Sequence, residues 1–115
     1  MLCCLIATAP VKAIDGNDLV SRCQKAVKFF DADNYDADND IDISWCIGYV
    51  HSFTKVNAYY KAFDIPVLIC FPESGIENRQ AIRVLVKYLQ DHPEKLHEYD
   101  MILTISAFVE AFPCE

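Results

Sequence analysis

The sequence predicts an all-α protein, a compact four- to five-helix bundle cross-linked by two disulfides. Its 115 residues are 53% apolar and include only three glycines. Apolar residues recur at three- and four-residue steps, which favours helices over strands. A chain of this length forms one domain, and its apolar content suffices for a hydrophobic core.

Net charge and hydropathy limit the kinds of partner that the chain could bind. The net charge is −7, which argues against nucleic acid or an anionic membrane surface as a ligand. No apolar run approaches the roughly 20 residues needed to span a bilayer. We therefore expect no nucleic-acid partner and no membrane span.

Residues 1–13 are interpreted as a secretory signal, and residues 14–115 as the mature helical domain. Residues 2–9 form a short apolar stretch, and small residues at Val11 and Ala13 fit a cleavage site. The usual basic region before the apolar stretch is missing, which indicates a truncated signal. The alternative interpretation is a buried N-terminal segment of a cytosolic protein.

Two helices are predicted in the first half of the chain. The first is N-capped by Asn17 and ends near Phe30, and the second begins after Ser44 and ends near Ala62, before Pro66. The apolar positions that we expect to face the core are Leu19, Val20, Cys23, Ala26, Val27, Phe30, Cys46, Tyr49, Val50, Phe53, Val56, Tyr60 and Phe63.

Gly48 lies one turn inside the second predicted helix. Glycine at such a position costs about 1 kcal/mol relative to alanine. We expect the compensation to be a close approach of the first helix beside Cys46, which is a structural role.

Two further helices are predicted in the second half. The third begins near Glu77, and the fourth begins at Pro93, which suits the first helical position, and is closed by Pro113. Segment 66–72 has no strand partner and is interpreted as a buried connection. The expected core positions are Ile82, Leu85, Val86, Leu89, Leu96, Tyr99, Leu103, Ser106, Phe108 and Phe112.

Removal of the predicted signal leaves four of the six cysteines, Cys23, Cys46, Cys70 and Cys114. An even number at wide spacing in a small exported chain indicates two disulfides, whereas a zinc site would need closely spaced pairs. In an antiparallel helix pair, Cys70 before the third helix meets Cys114 after the fourth. A bridge from Cys46 to Cys70 would have to span the second helix. The prediction is therefore Cys23–Cys46 and Cys70–Cys114, with buried free thiols as the alternative.

Residues 31–42 form an acidic run of six aspartates without a basic residue. An EF-hand loop would use Asp36, Asp38 and Asp40, but Ile41 replaces its glycine and Ile47 its glutamate. A solvated linker, adventitious calcium binding and a partner-facing patch remain open as interpretations. The candidate partner-binding residues are Asp36, Asp38 and Asp40 in this run, and Glu73, Ser74 and Glu77 before the third helix.

No catalytic constellation is expected. His51 and Ser52 are adjacent in a helix and therefore point to different faces. A Cys–His catalytic pair would need a free thiol near His51, His92 or His97, and the cysteines are expected to be in disulfides. We therefore expect neither an enzyme nor a cofactor or metal.

Several motifs, in their order and with their cysteine spacing, resemble the Rap/Tai family of resistance-associated and type VI amidase immunity proteins. They are WCIGYV (45–50), CFPE (70–73), VKYLQDHPEKLH (86–97) and AFPC (111–114), and the resemblance extends from Gly16 to Cys114. The chain departs from the family at Glu77, where a threonine or serine N-cap is expected, and in its long Asp-rich run. The matching positions are mostly structural: Cys23, Cys46, Gly48, Tyr49, Cys70, Pro72, Lys87, Tyr88, His92, Pro93, Phe112, Pro113 and Cys114.

The resemblance implies a small periplasmic immunity protein, a stoichiometric inhibitor and not an enzyme. Its partner would be a peptidoglycan amidase delivered by type VI secretion, whose Cys–His active site is occluded by a loop from one subunit of a homodimer. The alternative is a periplasmic stress or chaperone-like helical module with no cognate toxin. A neighbouring gene for a secreted amidase would favour the first hypothesis.

Overall fold

The computed structural model describes residues 13–32 and 40–115, which form an all-helical domain. Within these ranges there is no strand, only isolated bridges from Asp15 to Tyr99 and from Ile69 to Pro113. None of the described helices combines the length and apolar character that crossing a bilayer requires. The elements are α1 (Gly16–Asp31), α2 (Ile41–Ala62), α3 (Asn78–Asp91), a 3₁₀ turn (Pro93–Lys95) and α4 (Asp100–Ala111).

Both predicted disulfides are confirmed. The Cα atoms of Cys23 and Cys46 are 5.3 Å apart, and those of Cys70 and Cys114 are 5.1 Å apart. The first bridge joins α1 to α2, and the second joins the connection before α3 to the residues after α4. The predicted fold class is therefore confirmed as a helical bundle held by two cross-links.

Helix α1 begins two residues earlier than predicted, with Asp15 and not Asn17 as its N-cap. The Asp15 carboxylate accepts a hydrogen bond from the Asp18 amide at 3.0 Å, and the Asp18 carboxylate accepts one from the Asp15 amide at 3.3 Å. This reciprocal capping box satisfies two amides that a helix start leaves free. The Asn17 side chain instead donates to the Leu96 carbonyl at 3.2 Å.

Helix α2 also begins earlier than predicted, at Ile41 and not after Ser44. The Asp40 carboxylate accepts hydrogen bonds from the amides of Asp42 and Ile43, at 3.0 and 3.4 Å. The acidic run therefore supplies the cap that starts the helix. The predicted end at Ala62 is confirmed.

The core positions predicted for α2 are correct only in its first half. Cys46 and Val50 are buried, but Val56, Tyr60 and Phe63 are 50%, 47% and 62% exposed. The Cys23–Cys46 bridge explains the difference, because it sets the register of two antiparallel helices. The first residue of α1 is seven residues before Cys23. Because the two helices run in opposite directions, it lies level with the residue seven positions after Cys46, which is residue 53. The last nine residues of α2 therefore extend beyond the start of α1.

The close approach expected at Gly48 is not present. Gly48 is exposed, and a Cβ atom there would meet nothing within 4 Å. The tight contact lies instead at Gly16, where a Cβ atom would be 2.5 Å from a Leu103 methyl and 2.8 Å from the Leu96 Cα. Gly16 thus allows the start of α1 to pack directly against the segment between α3 and α4.

Helix α3 packs as predicted, with Ile82, Leu85, Val86 and Leu89 all buried. Glu77 is its N-cap residue but makes no side-chain hydrogen bond to the helix start. The helix ends at Asp91, because Pro93 cannot continue it.

The predicted fourth helix is interrupted. Pro93 starts only a 3₁₀ turn, and α4 begins seven residues later at Asp100. Leu103 and Phe108 are buried as predicted, whereas Tyr99 is 61% exposed, so its core assignment was wrong. Tyr99 precedes α4 and bridges to Asp15 through its backbone, which leaves its ring on the surface.

The connection between α2 and α3 is less buried than predicted. Within segment 66–70, Ile69 is buried, whereas Leu68 is 72% exposed. The Asn57 side-chain amide donates to the Ile69 carbonyl at 2.9 Å, which fixes the segment against α2. The connection is therefore held in place while part of its apolar surface faces solvent.

Candidate partner-binding surface

An exposed turn at residues 72–78 presents the second set of predicted binding residues. The Gly75 amide donates to the Pro72 carbonyl at 2.8 Å, which closes a tight turn around Glu73 and Ser74. Gly75 has φ +89°, a conformation that favours glycine. Glu73, Ser74 and Glu77 are all exposed in this turn.

Ring contacts, a backbone hydrogen bond and a disulfide hold the base of this turn in place. The Phe71 ring lies 5.4 Å from the Phe108 ring and 5.2 Å from the Phe112 ring. The Cys70 amide donates to the Phe112 carbonyl at 2.9 Å, and the Cys70–Cys114 disulfide crosses the same junction. A turn held this firmly loses little conformational entropy when a partner binds it.

The turn faces α2 across a groove of mixed charge. The groove has a volume of about 520 Å³, and its lining includes Lys55 and Lys61 from α2 and Glu73 and Ile76 from the turn. Acidic and basic groups therefore lie side by side at this edge. Such an edge suits a protein partner with its own polar surface.

His51 lies next to the turn and contacts the start of α3. Its Nδ1 atom is 3.2 Å from the Asn78 side-chain oxygen, at the first residue of α3. In residues 13–32 and 40–115 every cysteine belongs to a disulfide, so this part of the chain contains no thiol nucleophile. The described residues also contain no cluster of three side chains suited to holding a metal ion.

The first set of predicted binding residues is only partly described. Asp36 and Asp38 lie outside the described residues, and Asp40 is the N-cap of α2. Ile41, which stands where an EF-hand loop would have its glycine, is the first residue of α2. Asp40 thus has a structural role whether or not it also contacts a partner.

The ends of the acidic run are neutralised by nearby basic side chains. Asp31 pairs with Arg83 on α3. Asp42 accepts a hydrogen bond from Lys25 at 2.5 Å and lies 3.5 Å from the Arg22 guanidinium. The hydrogen bond from Lys25, with the charges of Lys25 and Arg22, lowers the pKa of Asp42. These two aspartates therefore join α1 to its neighbouring helices.

The acidic run and the 72–78 turn border the same part of α3. The Asp31–Arg83 pair and the Arg79 guanidinium, 5.4 Å from the Phe30 ring centre, hold the end of α1 against the first half of α3. Glu77 in the turn is the N-cap of that helix. Asp31, the first residue of the acidic run, and Glu77 in the turn therefore both lie against the first half of α3.

Tyr49, one of the positions that carry the family resemblance, has a structural role. Its hydroxyl is 2.9 Å from that of Thr104, which is fully buried and donates to the Asp100 carbonyl. Burial raises the pKa of Tyr49 to about 12, so the phenol stays neutral. The contact joins α2 to α4 inside the bundle.

Sequence reasoning missed a second surface, an apolar groove between α2, segment 66–69 and α4. The missed signal was the distribution of apolar residues around α2, which do not form a single stripe. Such a helix either lies in the centre of a large core or leaves part of its apolar surface outside. The lining residues are Ser52, Phe53, Val56, Asn57, Tyr60, Pro66, Val67, Leu68, Ile69, Met101 and Ile105.

The comparison with known families agrees with this architecture. A family model described as Rap1a immunity proteins matches residues 15–114. The match begins at the N-cap of α1 and ends at Cys114, so it includes the four helices, both disulfides and the 72–78 turn. No curated protein and no solved structure matches the chain. Because the family model matches most of its length, the chain belongs to the family of Rap1a immunity proteins.

Proposed function

We propose that the protein is a periplasmic immunity protein that binds a peptidoglycan amidase delivered by type VI secretion and occludes its substrate cleft. Membership of the Rap1a family supports the immunity role. The observation that carries the proposed mechanism is the exposed 72–78 turn on its disulfide-anchored base. A rigid projecting turn is the shape that fills a cleft at low entropic cost.

Inhibition by occlusion requires no chemistry from the inhibitor. The disulfides of the described residues and the contact of His51 with Asn78 support a non-enzymatic role. One subunit of a homodimer supplies the turn to each toxin molecule. The amidase's Cys–His pair is then covered and left chemically intact.

The disulfides also support export. Structural disulfides persist in oxidising compartments such as the periplasm. Residues 1–13 are the proposed signal, and residues 14–115 are the proposed mature protein. N-terminal sequencing of the protein from the periplasm tests this boundary, because the mature chain should begin at residue 14.

Charge on the turn is expected to accelerate association with the toxin. Replacing Glu73 and Glu77 with glutamine should slow association on the order of 3- to 10-fold at low salt, and the difference should shrink as salt rises. Melting should be nearly unchanged, because exposed carboxylates contribute little to stability and Glu77 makes no capping hydrogen bond. Stopped-flow or surface-plasmon measurements of association with the purified amidase test this.

The matched control is the triple substitution of Asp36, Asp38 and Asp40 with asparagine. Asparagine caps helices as well as aspartate does, so the start of α2 should be preserved. If only the triple variant slows association, the acidic run is the contact. If neither variant alters association at low salt, charge at this end of the bundle does not guide the toxin.

The second candidate function is a stress or chaperone-like module that binds unfolded proteins with low selectivity. The exposed apolar side chains along α2 and at Leu68 favour it. Pull-down from the native periplasm with mass spectrometry separates the two candidates, because immunity predicts one enriched amidase and a chaperone predicts many clients.

A further inference from the structure

We propose that the groove between the second half of α2 and the 72–78 turn binds an aromatic side chain of the toxin together with a carboxylate next to it. The inference rests on the proposed function and deepens it, because it specifies the chemistry of the toxin residues that lie beside the turn. The apolar groove along segment 66–69 is a different surface, since the two linings share only Asn57.

The apolar side of the groove is held in place by the core. Phe71 and Ile76 line the groove, and both are half-buried. The Phe71 ring packs against the rings of Phe108 and Phe112, so its position is set before a partner binds. An aromatic side chain in the groove can form a further ring contact with Phe71. It binds at low entropic cost, because the lining does not have to rearrange.

The α2 side of the groove leaves room for a large side chain. Ala58 and Ala62 lie one helical turn apart in the lining, and neither side chain extends beyond Cβ. The volume of the groove, about 520 Å³, is comparable to the roughly 300–1,000 Å³ of pockets that bind small ligands. An aromatic side chain therefore fits without displacement of the helix.

The charged side chains at the rim determine which group accompanies the aromatic ring. Lys55 and Lys61 line the α2 side and Glu73 lines the turn side, and all three are exposed. Among the residues that the structure describes, none of these three forms an ion pair. Arg83 and Lys87 on α3, by contrast, are paired with aspartates. A carboxylate of the partner can therefore pair with the two lysines without breaking an existing ion pair.

The arrangement of charge also favours one orientation of a toxin segment in the groove. A carboxylate next to the aromatic residue is attracted by Lys55 and Lys61 and repelled by Glu73. A basic residue of the toxin experiences the opposite, and is attracted to the turn. The same segment in the reverse direction would bring like charges together on both sides.

Short peptides test this chemistry without the toxin. The probes are blocked tetrapeptides with the central pairs Phe-Asp, Phe-Asn and Ala-Asp, titrated into the disulfide-bonded protein and followed by NMR. The Phe-Asp peptide should bind in the millimolar range and shift the amide signals of the groove lining. The Phe-Asn peptide should bind about 3-fold more weakly, and the difference should shrink as salt rises. The Ala-Asp peptide should bind on the order of 10-fold more weakly, because it lacks the ring.

Two variants assign these preferences to the proposed residues. Lys55→Gln combined with Lys61→Gln should abolish the preference for Phe-Asp over Phe-Asn and keep the preference over Ala-Asp. Ala58→Leu fills the groove and should abolish the preference for the aromatic ring. Gln90→Leu is the matched control, because position 90 lies near the end of α3 and lines the groove between α1 and α3. All four positions are exposed, and circular dichroism checks that each variant folds.

The same variants connect the groove to the toxin. Ala58→Leu should weaken binding to the purified amidase on the order of 10-fold or more, whereas Gln90→Leu should leave it unchanged. Equal binding by these two variants, or peptides that bind without the expected preferences, would overturn the inference. Inhibition of the amidase by the wild-type protein would then leave the proposed function standing. A wild-type protein that shows the peptide preferences but does not bind the amidase would overturn the proposed function and retain the recognition chemistry of the groove.

Discussion

Replacing Cys70 and Cys114 with serine should lower the free energy of unfolding by up to about 4 kcal/mol. The bridge closes a loop between residues 44 positions apart, and removing it returns that loop's conformational freedom to the unfolded chain. The loss is a large share of the total stability of a small domain, which is about 5–15 kcal/mol. Both cysteines are half-buried, so serine adds little desolvation cost. Denaturant unfolding monitored by circular dichroism measures the effect.

The same substitution should weaken toxin binding, because the bridge anchors the base of the 72–78 turn. The single variants Cys70→Ser and Cys114→Ser serve as controls. Either one opens the loop, so each should lose nearly as much stability as the double variant. A loss below about 1 kcal/mol in all three would contradict the view that the bridge stabilises the fold by restricting the unfolded chain.

Replacing Gly16 with alanine should cost about 3 kcal/mol, near the upper end for overpacking a core. The added Cβ would lie 2.5 Å from a Leu103 methyl, 2.8 Å from the Leu96 Cα and 2.9 Å from the Leu96 oxygen. The methyl can move, but the backbone of Leu96 cannot move cheaply. The Gly16 amide also donates to the Glu98 carbonyl at 3.0 Å, so displacing the start of α1 would break this hydrogen bond as well.

Gly48→Ala is the matched control for this substitution. Position 48 is exposed, in the interior of α2, and open around the missing Cβ. Alanine there should raise stability by about 1 kcal/mol through helix propensity alone. Equal melting temperatures for the two variants would contradict the packing described at Gly16.

The helices and disulfides were predictable because they follow from short-range rules. Periodic apolar residues indicated the helices, and their antiparallel order restricted which cysteines could meet. Helix starts were less predictable, because Asp15 and Asn17 are both good cap residues. In the structure Asp15 forms the capping box with Asp18, and the Asn17 side chain contacts Leu96 instead. The start of α2 was hard to predict because Asp40, its N-cap, is one of six aspartates in the acidic run, and composition alone does not distinguish a cap from the other five.

The surfaces were less predictable than the fold. An apolar residue at a helical position faces either the chain's own core or a partner, and periodicity does not distinguish these environments for Val56, Tyr60 and Phe63. The decision depends on the register set by Cys23 and Cys46, which is a tertiary feature. The composition of the turn at Glu73 and Ser74 indicated exposure, but its rigidity depends on aromatic contacts from α4 and beyond.

The central claim is that this chain neutralises a peptidoglycan amidase by binding it. The most direct test is to titrate the chain into a purified type VI-secreted peptidoglycan amidase, the proposed partner, and measure muropeptide release from purified sacculi. Release should fall to background at an equimolar ratio, and the chain alone should release nothing. Undiminished release at a large molar excess would contradict the claim. So would hydrolysis by the chain alone that disappears when His51, His92 and His97 are replaced with alanine.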